Sequence, residues 1–314
     1  MICPPTTARG ICSSGTTSSR NPLIYLKALC YKGWTVEKCI QRKLSVHPVV
    51  EAFGPPRRKE RLKPPSFKVL SPSVGANRMI VAVTGGGRGI GRNIVKAFQD
   101  LGDTVISIDR KADQFNTDLS HPYAGKLLIQ EIIDKHGRID VLVNNARSHL
   151  RSLLGEENEE DWDQEMAVNL KSAYFLGKYA IEHMSNGAIV NIGSVTTNFA
   201  SHESAAYQIS KGACLSLTRC LAMLGAPKDV TCNAVLPGFI VQDEYRVRYE
   251  HDGNKAYRAA VENMHPLRRP GTSDEVAQAT VFLAKSKWIT GTALTVDGGL
   301  TMQELAAFKY KSIR

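Results

Sequence analysis

Three side chains in this 314-residue sequence, Ser194, Tyr207 and Lys211, have the types and spacing to move a proton beside a reacting carbon. Tyr207 and Lys211 are four residues apart, which on a helix sets them one turn above each other on one face. A free phenol titrates near ~10 and is a poor base at neutral pH, but a neighbouring ammonium and a positively charged cofactor ring both favour the phenolate. Tyr207 can then take the proton of an alcohol as hydride leaves its carbon, or return that proton when a ketone is reduced. Ser194 follows an apolar run at 188–192, where a strand-end hydroxyl can hydrogen-bond a substrate oxygen and stabilise developing charge. Taken singly, each residue has an ordinary explanation as a packing pair or a cap. Their conjunction with the loop described next is what points to chemistry.

That loop is Thr84-Gly85-Gly86-Gly87-Arg88-Gly89-Ile90-Gly91, between the β-branched run Ile80-Val81-Ala82-Val83 and a helical pattern. Glycines there permit a tight turn and let the backbone approach a pyrophosphate, which the free N–H groups of the helix start attract. Gly85, Arg88, Gly89, Ile90 and Gly91 are therefore expected to hold a dinucleotide. Asp109 ends the second strand, 18 residues after Gly91, where a carboxylate can accept from the ribose hydroxyls and repel a 2′-phosphate. It argues for NAD. Arg88 and Arg110 argue for NADP, which stays possible, but a carboxylate against the ribose edge acts at closer range.

The elements needed to position these groups read as an alternation of strands and helices. Strands are predicted at 80–84, 104–108, 115–117, 139–143, 188–192, 230–235 and 293–296. Helices are predicted at 89–101, 122–136, 160–184, 203–224 and 273–285, with a looser helical region between Asp243 and Met264. The expected fold is α/β, a doubly wound parallel sheet of Rossmann type in one domain, residues 79–302. Residues 303–314 read as a tail.

Residues 1–78 differ from the rest. They hold 14 Lys or Arg against 3 acids and nine of the fourteen prolines, with no sustained period. Such a segment is expected to stay disordered. It reads as an organelle transit peptide, a basic arm, or an extension outside the native protein; the last is favoured because the first strand follows Met79 at once. The remaining chain carries 26 basic and 27 acidic residues, so the net charge of +10 belongs to the front segment and a nucleic-acid partner loses its support. Cys214, Cys220 and Cys232 show no metal-knuckle or redox spacing and read as buried thiols in a reducing compartment. His149, His202 and His265 have no metal-ligand spacing and read as surface or pocket residues, so no metal is expected. No apolar stretch is long enough to span a bilayer, so no membrane partner is expected.

These residues resemble the compact, one-domain branch of the short-chain dehydrogenase/reductase family, whose first signature is Thr-Gly-x-x-x-Gly-x-Gly. The likeness runs over residues 79–302. It takes in Asp118-Leu119, Asn144-Asn145-Ala146, Asn169 in Val168-Asn169-Leu170, Ser194, Tyr207-x-x-x-Lys211 and Pro237-Gly238. The resemblance implies adenine contact at Asp118 and Leu119, cofactor contact at Asn145, Ala146, Pro237, Gly238 and Ile240, and a water held by Asn169 beside the lysine. It implies catalysis by Asn169, Ser194, Tyr207 and Lys211, with Tyr207 and Lys211 also touching the cofactor. A homotetramer or dimer, using the helices at 160–184 and 203–224 and the C-terminal strand, is implied as well. The sequence departs from the family at Arg147, where Gly commonly stands, at Gln242, where Thr or Ser is frequent, and in the short segment between Asp109 and Asp118.

The expected activity is hydride transfer between NAD and a secondary alcohol or ketone, such as a sugar or cyclic diol, in the cytoplasm unless residues 1–78 direct import. One alternative is an NADPH-dependent 3-oxoacyl-(acyl-carrier-protein) reductase. Another is a catalytically idle, dinucleotide-binding regulator, because fold alone never proves activity.

Overall fold

The computed structural model describes residues 78–110, 115–150, 152–202, 204–242, 249–251 and 254–302. The expectations for the front segment and for the tail 303–314 lie outside the described residues. Seven strands, β1 (Ile80–Thr84), β2 (Thr104–Asp109), β3 (Phe115–Asn116), β4 (Val141–Asn144), β5 (Ala188–Ile192), β6 (Thr231–Pro237) and β9 (Ala293–Val296), form one sheet. Its order is β3-β2-β1-β4-β5-β6-β9, and each described pairing is parallel. A second parallel pair joins β7 (Ile240–Val241) to β8 (Gly271–Thr272).

The helices are α1 (Gly89–Asp100), α2 (Ala124–His136), α3 (Glu159–Met166), α4 (Ser172–His183), α5 (Ala205–Gly225), α6 (Lys255–Asn263) and α7 (Ser273–Lys285). Parallel strands are joined by crossovers, so both sheet faces are covered and the strand residues divide between two cores. Val81, Val83, Val141, Val143 and Val190 pack with Ile94 and Phe98 of α1 and Val276 and Leu283 of α7. Ala82, Ile106, Leu142 and Ile189 point the other way, onto Leu128 of α2, Leu176 of α4 and Leu221 of α5. Each fully buried side chain of this size contributes about 1.5–3 kcal/mol relative to exposure. The two cores fix the sheet from which the site projects.

The predicted strands and helices are present, with boundaries displaced by a few residues. One predicted element is divided: the helix expected over 160–184 is α3 and α4 joined by a π-helical turn, Ala167–Lys171. Within 243–264, the described helix is α6 alone. Five residues separate Asp109 at the end of β2 from Phe115 at the start of β3.

Candidate active site

Strand order reverses between β1 and β4, and the carboxyl ends of the sheet there open into a cleft of about 480 Å³. At its floor Thr84 ties the two strand ends together. Its hydroxyl donates to the Val143 carbonyl at 3.3 Å and accepts the Asn145 and Ala146 N–H groups, both at 3.0 Å. The Asn145 amide also donates to the Thr84 and Gly85 carbonyls at 2.9 and 3.0 Å. One strand further, Asn144 donates to Asn191 Oδ1 at 2.9 Å, and Asn191 donates to Thr218 Oγ1 at 2.9 Å.

The glycine loop turns over this floor. Gly85 has φ 66°, a left-handed conformation, and a Cβ there would lie 2.9 Å from Ala146 Cα. At Gly91 a Cβ would stand 2.0 Å from the Gly85 carbonyl oxygen, so the first turn of α1 can pack under the loop only without a side chain. Arg88, at the N-cap of α1, is extended and makes no side-chain cap, so the helix start is left to other acceptors. Asp109 accepts the Gly87 N–H at 3.2 Å, holding its carboxyl group beside the loop. Asp118 accepts from the Ser120 N–H at 2.9 Å and its hydroxyl at 2.7 Å, which keeps its carboxyl below the usual carboxylate range. A cradle of this shape, with backbone N–H groups at a helix start and an acid at the second strand end, fits a dinucleotide.

Ser194, Tyr207 and Lys211 line the same cleft. Ser194 Oγ accepts the Thr196 N–H at 3.2 Å, which leaves the hydroxyl proton to donate. Lys211 is 4% exposed, donates to the Ile192 carbonyl at 2.8 Å, and has its Nζ 6.0 Å from the Tyr207 ring centroid. Burial pushes its ammonium down to about 8, with the Arg147 charge adding to the effect and Cys214 opposing it. Of the other expected cofactor residues, Ile90, Leu119, Ala146, Pro237, Gly238 and Ile240 also line the cleft. Gly89 sits apart from that lining, against the Gln242 carboxamide, whose Oε1 would be 2.4 Å from a Cβ.

Asn169 lies behind the cleft, inside the π turn. It accepts the Ser148 N–H at 2.7 Å and donates to the Ser148 carbonyl at 2.9 Å and to Ser210 Oγ at 3.1 Å. It shares a small buried cavity with Lys211, Asn144 and Asn191.

His149, read from the sequence as a surface or pocket residue, is a pocket residue stacked on Tyr207, ring centroids 4.4 Å apart and planes 21° from parallel. Arg147 lies 3.3 Å from His149 Nδ1. An arginine only donates, so in this contact Nδ1 accepts and the ring proton of a neutral His149 sits on Nε2. Two readings need correction. His265 is buried, 1% exposed, with Nδ1 2.8 Å from the Val261 carbonyl, because it faces the helix turn before it. Cys220 is exposed, on the outer face of α5, whereas Cys214 and Cys232 are buried and burial pushes both thiols up. Among the described residues no cluster of three or more His, Cys, Asp or Glu could hold a metal, and no helix is long and apolar enough to cross a membrane.

Known proteins match this arrangement over most of their length. A family model described as enoyl-(acyl carrier protein) reductase matches residues 85–301. The 3-oxoacyl-(acyl-carrier-protein) reductase of Chlamydia pneumoniae is 33% identical over 243 residues, 70% of this chain and 96% of that protein. Among solved structures, the aldohexose dehydrogenase of Thermoplasma acidophilum, in ligand-free form, is 33% identical with a TM-score of 0.65, covering 72% of this chain and 94% of that one. The structure of ElxO with NADP bound is 30% identical with a TM-score of 0.66, over 72% of this chain and all of the other.

Proposed function

The chain belongs to the short-chain dehydrogenase/reductase family, an NAD(P)-dependent oxidoreductase acting on CH–OH groups, and from this we propose that it oxidises a secondary alcohol, or reduces the matching ketone, with NAD(H). The observation carrying the proposal is the meeting of Ser194, Tyr207 and Lys211 in the cleft that the glycine loop opens. A bound nicotinamide dinucleotide supplies the two-electron acceptor or donor. Gly85, Arg88, Gly89, Ile90 and Gly91 hold its pyrophosphate, Asp109 its ribose, and Asp118 and Leu119 its adenine. Asn145, Ala146, Pro237, Gly238 and Ile240 flank the remainder. Ser194 donates its hydroxyl proton to the substrate oxygen, and Tyr207 takes or returns the proton of that oxygen. Lys211 favours the phenolate through its charge, and Asn169 holds a water beside it in the small buried cavity they share.

Asp109 favours NAD through the ribose hydroxyls and its charge. Initial rates with a panel of sugars, cyclic diols and a 3-oxoacyl thioester, followed by coenzyme absorbance, test this directly. Wild type is expected to give the higher kcat/KM with NAD(H), and Asp109→Ser to narrow or reverse that ratio, since Arg88 and Arg110 then face a 2′-phosphate unopposed. A wild-type preference for NADP(H) with the thioester would instead support the 3-oxoacyl reductase reading, which the name of the chlamydial relative favours. Absence of turnover with every substrate would support the idle regulator.

The catalytic unit is residues 79–302, with 1–78 and 303–314 outside it. A chain starting at Met79 is expected to express, bind NADH and turn over like the full chain. Insolubility or inactivity of that chain would overturn this assignment. The free thiols fit a reducing compartment such as the cytoplasm. Exposed Tyr174 on α4, Ile209 on α5, Phe282 on α7 and the fully exposed Trp288 fit a homo-oligomer, a dimer or tetramer that would cover them.

A further inference from the structure

Glu165 is an acid where none is expected. It lies on α3, 1% exposed, and both carboxyl oxygens are used: Oε1 accepts the Leu150 N–H at 2.7 Å, and Oε2 accepts the Ser204 hydroxyl at 2.7 Å. Burying a carboxyl group is costly unless each oxygen is partnered, so this position is chosen for its bonds and not for its volume. The two partners come from the two elements that meet at the active site. Leu150 follows His149 on the loop leaving β4. Ser204 caps α5, its Oγ accepting the Tyr207 N–H at 3.3 Å.

Asn169, four residues along, makes a second bridge of the same kind. It holds both backbone groups of Ser148 and reaches Ser210 Oγ, which donates to the Tyr207 carbonyl at 2.7 Å. On the loop the two bridges therefore fall at 148 and 150, on either side of His149. On α5 they fall at 204 and 210, on either side of Tyr207. The stacked pair His149 and Tyr207 lies inside this bracket.

We propose that Glu165 is a positioning residue for Tyr207: with Asn169 it clamps the His149 loop onto the start of α5, so that the imidazole braces the tyrosine ring at its working angle. This rests on the reading of Tyr207 as the proton-transfer group. The glycine loop and Asp109 lie at the ends of β1 and β2, outside the bracket though in the same cleft, so loss of the bracket is expected to act on turnover more than on coenzyme binding.

The test uses the full chain with Glu165→Leu, Glu165→Gln and Ser204→Ala. Leucine keeps the size and removes both acceptors, whereas a glutamine can still accept the Leu150 N–H and donate its NH₂ to Ser204 Oγ. Glu165→Leu is expected to lower kcat 10- to 100-fold with the NADH Kd within about threefold of wild type. Glu165→Gln is expected to regain most of the loss, and Ser204→Ala to lose part of it. The decisive readout is non-additivity: in a His149→Ala background, Glu165→Leu is expected to cost less than threefold more. An undiminished kcat in Glu165→Leu, or the same loss with and without His149, overturns the proposal. If Glu165→Leu does not fold, Ser204→Ala with and without His149 decides by the same criterion. Tyr207→Phe assayed alongside separates the two readings: if it retains full turnover, the role of Tyr207 itself has failed, and if it is inactive while Glu165→Leu is unaffected, only the bracket has failed.

Discussion

Tyr207→Phe is expected to retain NADH binding and the fold while turnover falls by about 10² to 10⁴, the usual worth of a positioned acid or base. The substitution removes one oxygen. The ring that stacks on His149 remains, as do the Ser204 cap and the Ser210 contact on either side of it, so a loss of activity cannot be charged to a displaced helix. Steady-state rates and a fluorescence titration with NADH check the two halves separately. Full turnover in Tyr207→Phe would remove the proton-transfer role.

Lys211→Met is expected to abolish most activity and, without coenzyme, to make the protein more stable at neutral pH. The ammonium is buried and its folded-state value is about 8, against an ordinary 10.5, because burial penalises the charged form. Between those two values the unfolded chain binds the proton and the folded chain releases it, so wild-type stability rises with pH through that window and is lowest below about 8. At one pKa unit per 1.36 kcal/mol the deficit at pH 7 is about 3 kcal/mol. Loss of the bond to the Ile192 carbonyl takes back about 1–2 kcal/mol of it. Thermal unfolding of both proteins at pH 7 and pH 10 reads the difference: the variant is expected to melt higher at pH 7, with the gap closing or reversing at pH 10. A variant that melts lower at both values, by the same amount, would show that Lys211 carries no such strain.

Strands whose residues are buried on both sides were legible because burial leaves a continuous apolar run. Residues 80–84 and 188–192 begin and end where the sequence predicts; so do the half-exposed edge strand over 293–296 and the helix over 273–285, which carry shorter or helical apolar patterns. The groups at the carboxyl ends of β1, β2, β5 and β6 and the pair on α5 were legible because glycines, a strand-end acid and a Tyr-Lys pair have few other uses in that order. The π turn was not legible: one extra residue shifts the apolar stripe by less than a window of helical periodicity can register, so α3 and α4 read as one helix. Glu165 reads as one more surface acid of a polar helix, since its two donors arrive from residues 150 and 204. The stacking of His149 on Tyr207 is hidden for the same reason, as 58 positions separate the two rings. The β7 and β8 strands are two residues each, too short to carry any period.

The register of the sheet bears on how the molecule comes into being. β1 finds β2 only 24 residues away, but Val81 pairs with Val141 and Ala234 with Ala293, so the pairings that complete the sheet close chain segments of about sixty residues. Closing such loops costs entropy before any contact rewards it, and parallel sheets of this kind fold slowly. The cleft is framed across the β1–β4 seam, where Thr84 meets Asn145 and Ala146. Its groove exists only after the chain has travelled out through β2, β3 and α2 and returned. A nascent chain can therefore be rich in helix while having no place for a ligand, and a dinucleotide that binds only the finished seam stabilises the closed sheet by mass action.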